Sequence, residues 1–153
     1  MALQEITKVL EIKPWLATAG MPTVDQLETV TTHSFKTIIN LAMENSPGVT
    51  KNEEQIVKSF GLKYFHIPVV WEKPLRSDFD HFVSIMQSLK GEKTFIHCVL
   101  NIRVSIFVYL YRVHYLQEVK ELASISTSLT IEGSSSGTNN CFDNVSNLPA
   151  SSW

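Results

Sequence analysis

The chain has 153 residues and a mass of 17.3 kDa, long enough for one domain with a real core and too short for two. With 44% hydrophobic and 18% charged residues and a mean hydropathy of +0.03, its composition is that of a globular protein rather than a disordered one. A formal net charge of -2 and a pI of about 6.2 exclude a broad basic field for nucleic acid or for an anionic membrane surface, so any anion site must be local.

Met1 to Gly20 carries Glu5, Lys8, Glu11 and Lys13 at short intervals, which leaves no uninterrupted apolar run of the kind a secretory signal needs. Val104 to Tyr111 is the most apolar stretch, and Arg112 and His114 interrupt it long before it could span a bilayer. The expected location is the cytoplasm, where reducing conditions keep Cys98 and Cys141 as thiols.

Trp15 to Ala19 is a short extended candidate, and Pro22-Thr23 then opens a helix in which Thr23 caps and Gln26 reaches back. Phe35 to Leu41 is rich in β-branched residues and reads as a buried strand, ended by the loop Met43 to Val49. Thr50 with Glu53 repeats the capping pattern for a helix with Ile56, Val57 and Phe60 on one face and Gly61 at its C-terminal cap. Leu62 to Val70 is the next predicted strand. After the loop Trp71-Glu72-Lys73-Pro74, Ser77 caps a helix whose inward face is Phe79, Phe82, Val83, Met86 and Leu89, closed by Gly91.

Lys93 to His97 is the last predicted strand, and the helix from Ile102 to Leu116 is apolar around most of its circumference, as a central helix is. Apolar strands alternating with helices predict an α/β domain with a central, mostly parallel sheet of four to five strands flanked by helices. That domain spans residues 1–120. Residues 121–153 form a Ser/Asn-rich tail, including the linker-like Gly133-Ser134-Ser135-Ser136-Gly137, in which no helical or strand period is evident; it is expected to be poorly ordered.

The residues that carry chemistry lie between the last strand and the central helix: His97-Cys98-Val99-Leu100-Asn101-Ile102-Arg103-Val104-Ser105. A thiol at a strand end is by default a small buried hydrophobe. Here the chain leaves a strand at Cys98, turns through four residues and enters a helix, so the amides of Val99, Leu100, Asn101, Ile102, Arg103 and Val104 can converge as an anion nest at the positive end of the helix dipole. Such a setting lowers a thiol pKa from about 8.5 to between roughly 3.5 and 7.5 and makes it a nucleophile. Arg103 is poorly placed for that dipole unless an anion binds beside it, and a guanidinium fork suits two oxygens of a phosphoryl group. His97 is expected to hold the loop by hydrogen bonding. Ser105 is either a small residue for close packing or a hydroxyl donor to the sulfur.

The loop resembles the signature of cysteine-dependent protein tyrosine and dual-specificity phosphatases. The stretch from about Ile12 to Leu116 is more closely similar to the small, bacterial-type phosphatase-like proteins, through Leu16-Ala17-Thr18-Ala19-Gly20-Met21-Pro22-Thr23, Thr37-Ile38-Ile39-Asn40-Leu41, His66-Ile67-Pro68-Val69, the loop itself and Phe107-Val108-Tyr109-Leu110-Tyr111-Arg112. The resemblance implies that Cys98 is the nucleophile, Arg103 the residue that binds phosphate and the transition state, and Ser105 the group that helps the cysteine depart. It implies a phosphorylated substrate, protein or small molecule. Two features depart from the usual phosphatase loop: four residues rather than five separate Cys98 from Arg103, and Asn101 stands where a glycine is usual. The closer subfamily shares the shorter spacing.

A leaving alkoxide needs a proton from a loop at the carboxyl edge of the sheet, and Glu72 is the candidate, read either as that acid or as a solvated loop carboxylate. Asp78 and Asp80 fit a helix start without catalysis. The histidines His33, His66, His81, His97 and His114 lack ligand spacing, so no metal and no cofactor are expected. Two alternatives share the loop: a rhodanese-like sulfurtransferase carrying a persulfide on Cys98, and a non-catalytic phosphate-binding module. Nothing in the sequence fixes an oligomeric state.

Overall fold

The computed structural model describes residues 2–131. After a single 3-10 turn at Leu3–Glu5 the elements run β1 (Leu10–Lys13), β2 (Leu16–Ala19), α1 (Val24–Thr32), β3 (Thr37–Asn40), α2 (Glu53–Ser59), β4 (Lys63–His66), α3 (Arg76–Leu89), β5 (Thr94–His97), α4 (Ile102–His114) and α5 (Lys120–Ile131). The five strands form one sheet in the order β1-β2-β5-β3-β4, parallel throughout except for the β1–β2 hairpin. This is the predicted α/β architecture.

β2, β3 and β5 are buried at every residue, because helices cover both faces of the sheet and each face takes alternate side chains. Leu16, Ile39 and Ile96 face α3 and α4, where Phe107 meets Phe79 edge-on at 5.4 Å and Phe82 at 5.6 Å. Ala17, Ile38 and Phe95 face the other way, against Leu27, Val30 and Val57 of α1 and α2. Central β5 pairs with both β2 and β3, so Ala19, His97 and Asn40 end in one row at the carboxyl edge. That row positions the site.

Several local expectations are corrected. β1 was not predicted, since its alternation of Leu10 and Ile12 with Glu11 and Lys13 runs for only four residues; those charges suit an edge strand. β4 ends at His66 rather than Val70, because Pro68 has no N–H to offer a ladder, although Ile67 and Val69 still donate to Asn40 and Leu41 carbonyls at 2.9 and 3.2 Å. The Thr23–Gln26 capping box is present on α1, but Thr50 does not cap α2: its hydroxyl donates to Pro22 O at 2.9 Å, Asn52 takes the N-cap in a left-handed conformation, and Glu53 turns inward. Helix α3 starts before Ser77, with the Leu75 N–H donating to Asp78 at 3.2 Å.

The predicted irregular tail begins with helix α5. Its buried stripe is Ala123, Thr127 and Thr130, while Leu122, Ile125 and Leu129 are exposed, so its inward face is small and mostly polar. Polar contacts hold it: Arg112 donates to Glu118 at 2.6 Å and to Ser126 at 2.9 Å, and Lys8 donates to Thr130 O at 3.2 Å. The remainder of the expected tail, residues 132–153 with Cys141, lies outside the described residues. Among the described residues no helix is long and apolar enough to cross a membrane.

Candidate functional site

β5 delivers His97 and Cys98 to the edge, and the loop that follows is tied down on its β2 side. The backbone N–H of Cys98 donates to Ala19 O at 3.3 Å, that of Met21 to Val99 O at 2.9 Å, and Leu100 bridges to Gly20. A Cβ on Gly20 would sit 2.7 Å from Val99 O, so only glycine lets the two segments approach this closely. Asn101 turns the chain into α4 with φ 64° and ψ 8°, a left-handed conformation that asparagine tolerates better than most residues. Its buried amide nitrogen donates to Lys8 O at 2.8 Å and to Thr18 Oγ1 at 3.0 Å. The asparagine at the expected glycine position therefore supplies both the backbone angle and two anchors.

Arg103 lies in the first turn of α4, where the N–H groups of Ile102, Arg103 and Val104 have no intrahelical acceptor. The residue is 6% exposed and its guanidinium is held from the β4–α3 loop: Nη1 donates to Val69 O at 2.8 Å, and the group lies 5.8 Å from the Trp71 ring centroid. Its Nε has no hydrogen-bond partner among the described residues. A buried donor left unpaired is costly unless something completes it.

Cys98 is 1% exposed and packs with the core residues of the α3–α4 face. Val99 is half-buried, Leu100 is exposed, and Ile102 and Val104 are buried. Ser105 does not donate to the sulfur: its hydroxyl donates to Asn101 Oδ1 at 3.4 Å. Glu72 is exposed in the same loop as Val69 and Trp71, the two residues that touch Arg103. Asp78 accepts from the Leu75 N–H and Asp80 pairs with Arg76 at 2.8 Å, so both serve the start of α3. Among the described residues no group of three His, Cys, Asp or Glu side chains is placed to hold a metal ion.

His97 is fully buried, and its partner was not foreseen: Nε2 lies 2.5 Å from Glu53 Oε1, itself only 4% exposed. Glu53 Oε2 accepts from Asn40 Nδ2 at 2.9 Å and from the Tyr64 hydroxyl at 3.4 Å, while Asn40 Oδ1 accepts from Ala42 N at 2.8 Å. Burial, with the Glu53 charge next, pushes the Tyr64 hydroxyl far above its ordinary value of 10 and keeps it a donor. Parallel pairing of the Phe35–Leu41 and Lys93–His97 strands sets Asn40 beside His97, but no local pattern points to Glu53. The network borders a cavity of about 650 Å³ lined by residues of the 43–54 segment together with Tyr64 and His66.

No family model and no curated protein matches the chain. Solved structures do. A DUF442 protein from Shewanella putrefaciens CN-32, named as a proposed phosphatase, matches with 25% identity and a TM-score of 0.86 over 97% of this chain and 93% of that one. Tk-PTP in its active form matches at 15% identity and a TM-score of 0.74, covering 92% and 95%. P. aeruginosa TpbA in complex with pTyr matches at 10% identity and a TM-score of 0.64, covering 92% and 91%. The chain thus has the protein tyrosine phosphatase-like fold over nearly its full described length, a fold that suggests phosphomonoester hydrolysis.

Proposed function

We propose that the protein is a metal-independent phosphatase that hydrolyses phosphate monoesters through Cys98. The observation that carries this reading is Arg103: a buried guanidinium at the positive end of a helix, clamped by Val69 O and Trp71, with Nε unpaired. A phosphoryl group beside it supplies the missing acceptor and offsets the unfavourable dipole. The amides of Val99, Leu100, Asn101, Ile102, Arg103 and Val104 cradle its other oxygens. Catalysis on this reading requires that the phosphoryl group reach the sulfur, 1% exposed, from within that cradle.

In the first step the Cys98 thiolate forms a bond to phosphorus as the ester P–O bond breaks, and Glu72 protonates the departing oxygen. In the second, a water that loses its proton to Glu72 attacks phosphorus, and the thiolate leaves with inorganic phosphate as product. Ser105 assists that departure, for which its hydroxyl turns from Asn101 Oδ1 to the sulfur. His97 holds the loop. The phosphotyrosine bound by TpbA supports a phosphorylated substrate in general.

The test is hydrolysis of p-nitrophenyl phosphate in EDTA, inhibition by vanadate, and its loss in Cys98→Ser, expected to lower kcat/KM by about 10³-fold or more. Activity surviving that substitution rejects Cys98 as nucleophile. Sulfur transfer from thiosulfate to cyanide without ester hydrolysis moves the protein to the rhodanese-like class, and phosphate binding without turnover of any ester leaves a binding module.

A further inference from the structure

We infer that Glu53 is a positioning residue for the nucleophile, acting through His97 to hold Cys98 in its reactive form; this rests on the phosphatase reading above. The geometry starts from the imidazole. Its Nε2 faces a carboxylate oxygen at 2.5 Å and its Nδ1 faces Cys98 O at 3.4 Å, so both ring nitrogens meet acceptors. Only the imidazolium donates to both. On the far side, Asn40 and Tyr64 donate to Glu53 Oε2, so that oxygen too meets only donors.

The result is a buried ion pair whose cationic end abuts the nucleophile's own backbone and whose anionic end points away toward β4. A cation on that side favours thiolate at Cys98, and the Nδ1–H to the carbonyl fixes how the loop leaves β5. The carboxylate comes from the first residue of α2, with neither side chain of the pair open to water. Such a pair is a poor device for stability alone, since desolvating two charges offsets most of their attraction. The other titratable groups that face it are Tyr64 and His66 from β4, Glu54 and Lys51 at the start of α2, and Glu44 from the preceding loop, all lining the adjoining cavity.

The experiment uses the full chain with Cys141→Ser, so that Cys98 is the only thiol. Two profiles are measured against pH: the rate of Cys98 alkylation by iodoacetamide, followed by mass spectrometry, and kcat/KM for p-nitrophenyl phosphate. Glu53→Gln is expected to shift the alkylation midpoint to higher pH. It should lower kcat/KM by about tenfold on the acid side, with convergence toward the parent in alkali. Tyr64→Phe, which removes one donor from the carboxylate, is expected to give a smaller shift in the same direction.

Alkylation profiles that overlay the parent, or a loss of kcat/KM equal at every pH, overturn the inference and leave Glu53 a packing residue. Where Glu53→Gln does not fold by circular dichroism, Tyr64→Phe carries the same test, and its overlay with the parent is equally fatal. The alkylation arm needs no turnover. A shifted midpoint in a chain that hydrolyses no ester therefore upholds the role of Glu53 and rejects the phosphatase reading, while an active parent with unshifted variants does the reverse.

Discussion

Two loops meet at the carboxyl edge of the sheet, one running from β5 into α4 and the other from β3 into α2. Each ends on an asparagine in the left-handed region, Asn101 at φ 64° and Asn52 at φ 56°, and neither makes a side-chain capping bond. Beyond that point they diverge in charge. The first turn of α2 carries Glu53 and Glu54, which the helix dipole favours, whereas the first turn of α4 carries Arg103, which it opposes. Glu53 is satisfied internally by His97, Asn40 and Tyr64; Arg103 is satisfied on one side only, by Val69 O and Trp71. Similar constructions are thus closed at one junction and left with an unpaired donor at the other, which is where the proposed function places an anion.

The widest break in that comparison comes from Arg103. Arg103→Lys keeps the charge but not the fork, and kcat/KM for p-nitrophenyl phosphate is expected to fall by about 10²–10³-fold. Inorganic phosphate should raise the Tm of the parent and not that of the variant, as linkage requires of a ligand that binds only the folded state. Retained activity together with a retained phosphate-induced shift would remove the reason for calling the α4 junction an anion site.

A second break acts on the β2 side of the same loop. Gly20→Ala places a methyl 2.7 Å from Val99 O, a backbone atom that cannot swing aside, so the loop or β2 must shift. The expected cost is about 1–3 kcal/mol in urea denaturation, with a fall in kcat/KM, since the displaced segment contains the amides proposed to cradle the phosphoryl group. A variant as stable and as active as the parent would show that the close approach at Gly20 does not set the loop.

The two junctions also differ in how well the amino-acid pattern revealed them. The α4 junction was legible because its chemistry is contiguous: thiol, turn, arginine and helix occupy nine consecutive residues, His97 to Ser105. The α2 junction was not, because Thr50 and Glu53 satisfy a local capping pattern that tertiary contacts override. Thr50 bonds to Pro22 O across the fold, and Glu53 answers a histidine 44 residues away. Helix α3 was legible from its apolar face, and α4 and the central strands from their nearly continuous apolar and β-branched composition. Edge strand β1 and helix α5 were missed because each buries little large apolar surface: Ile12 alone of β1 packs on the core cluster, and α5 buries Ala123 beside two threonines.

Asn101 sharpens the comparison further. Asn101→Gly keeps the left-handed angle but loses the bonds to Lys8 O and Thr18 Oγ1. A stability loss of about 1–2 kcal/mol is expected. Asn101→Ala adds backbone strain and should be worse by about 1 kcal/mol. If glycine matches the parent in denaturation midpoint, the anchors contribute nothing and only the backbone angle matters.

The smallest effect tests whether the α4 junction depends on support from behind. Helix α5 reaches the loop's helix through the Thr127 hydroxyl, 3.5 Å from Ser105 O, and is fastened through Glu118, which pairs with Arg112 and Lys13. Burial pushes the Glu118 carboxyl up, but the bonds from Lys13 and Arg112 outweigh it and hold the group below its ordinary value of 4.5. A carboxylate depressed in the folded state contributes stability that is present above the ordinary value and lost as pH falls through the folded one. Glu118→Gln should therefore be less stable than the parent at neutral pH by about 0.5–1 kcal/mol, with the gap closing as the medium is acidified below pH 4.5. Its kcat/KM at pH 7 should stay within about twofold of the parent, because Arg103 and the nest are held from β2 and the β4–α3 loop rather than from α5. A gap that persists unchanged in acid would mean that the carboxylate charge is not what fastens α5, and a large loss of activity would place α5 among the supports of the α4 junction.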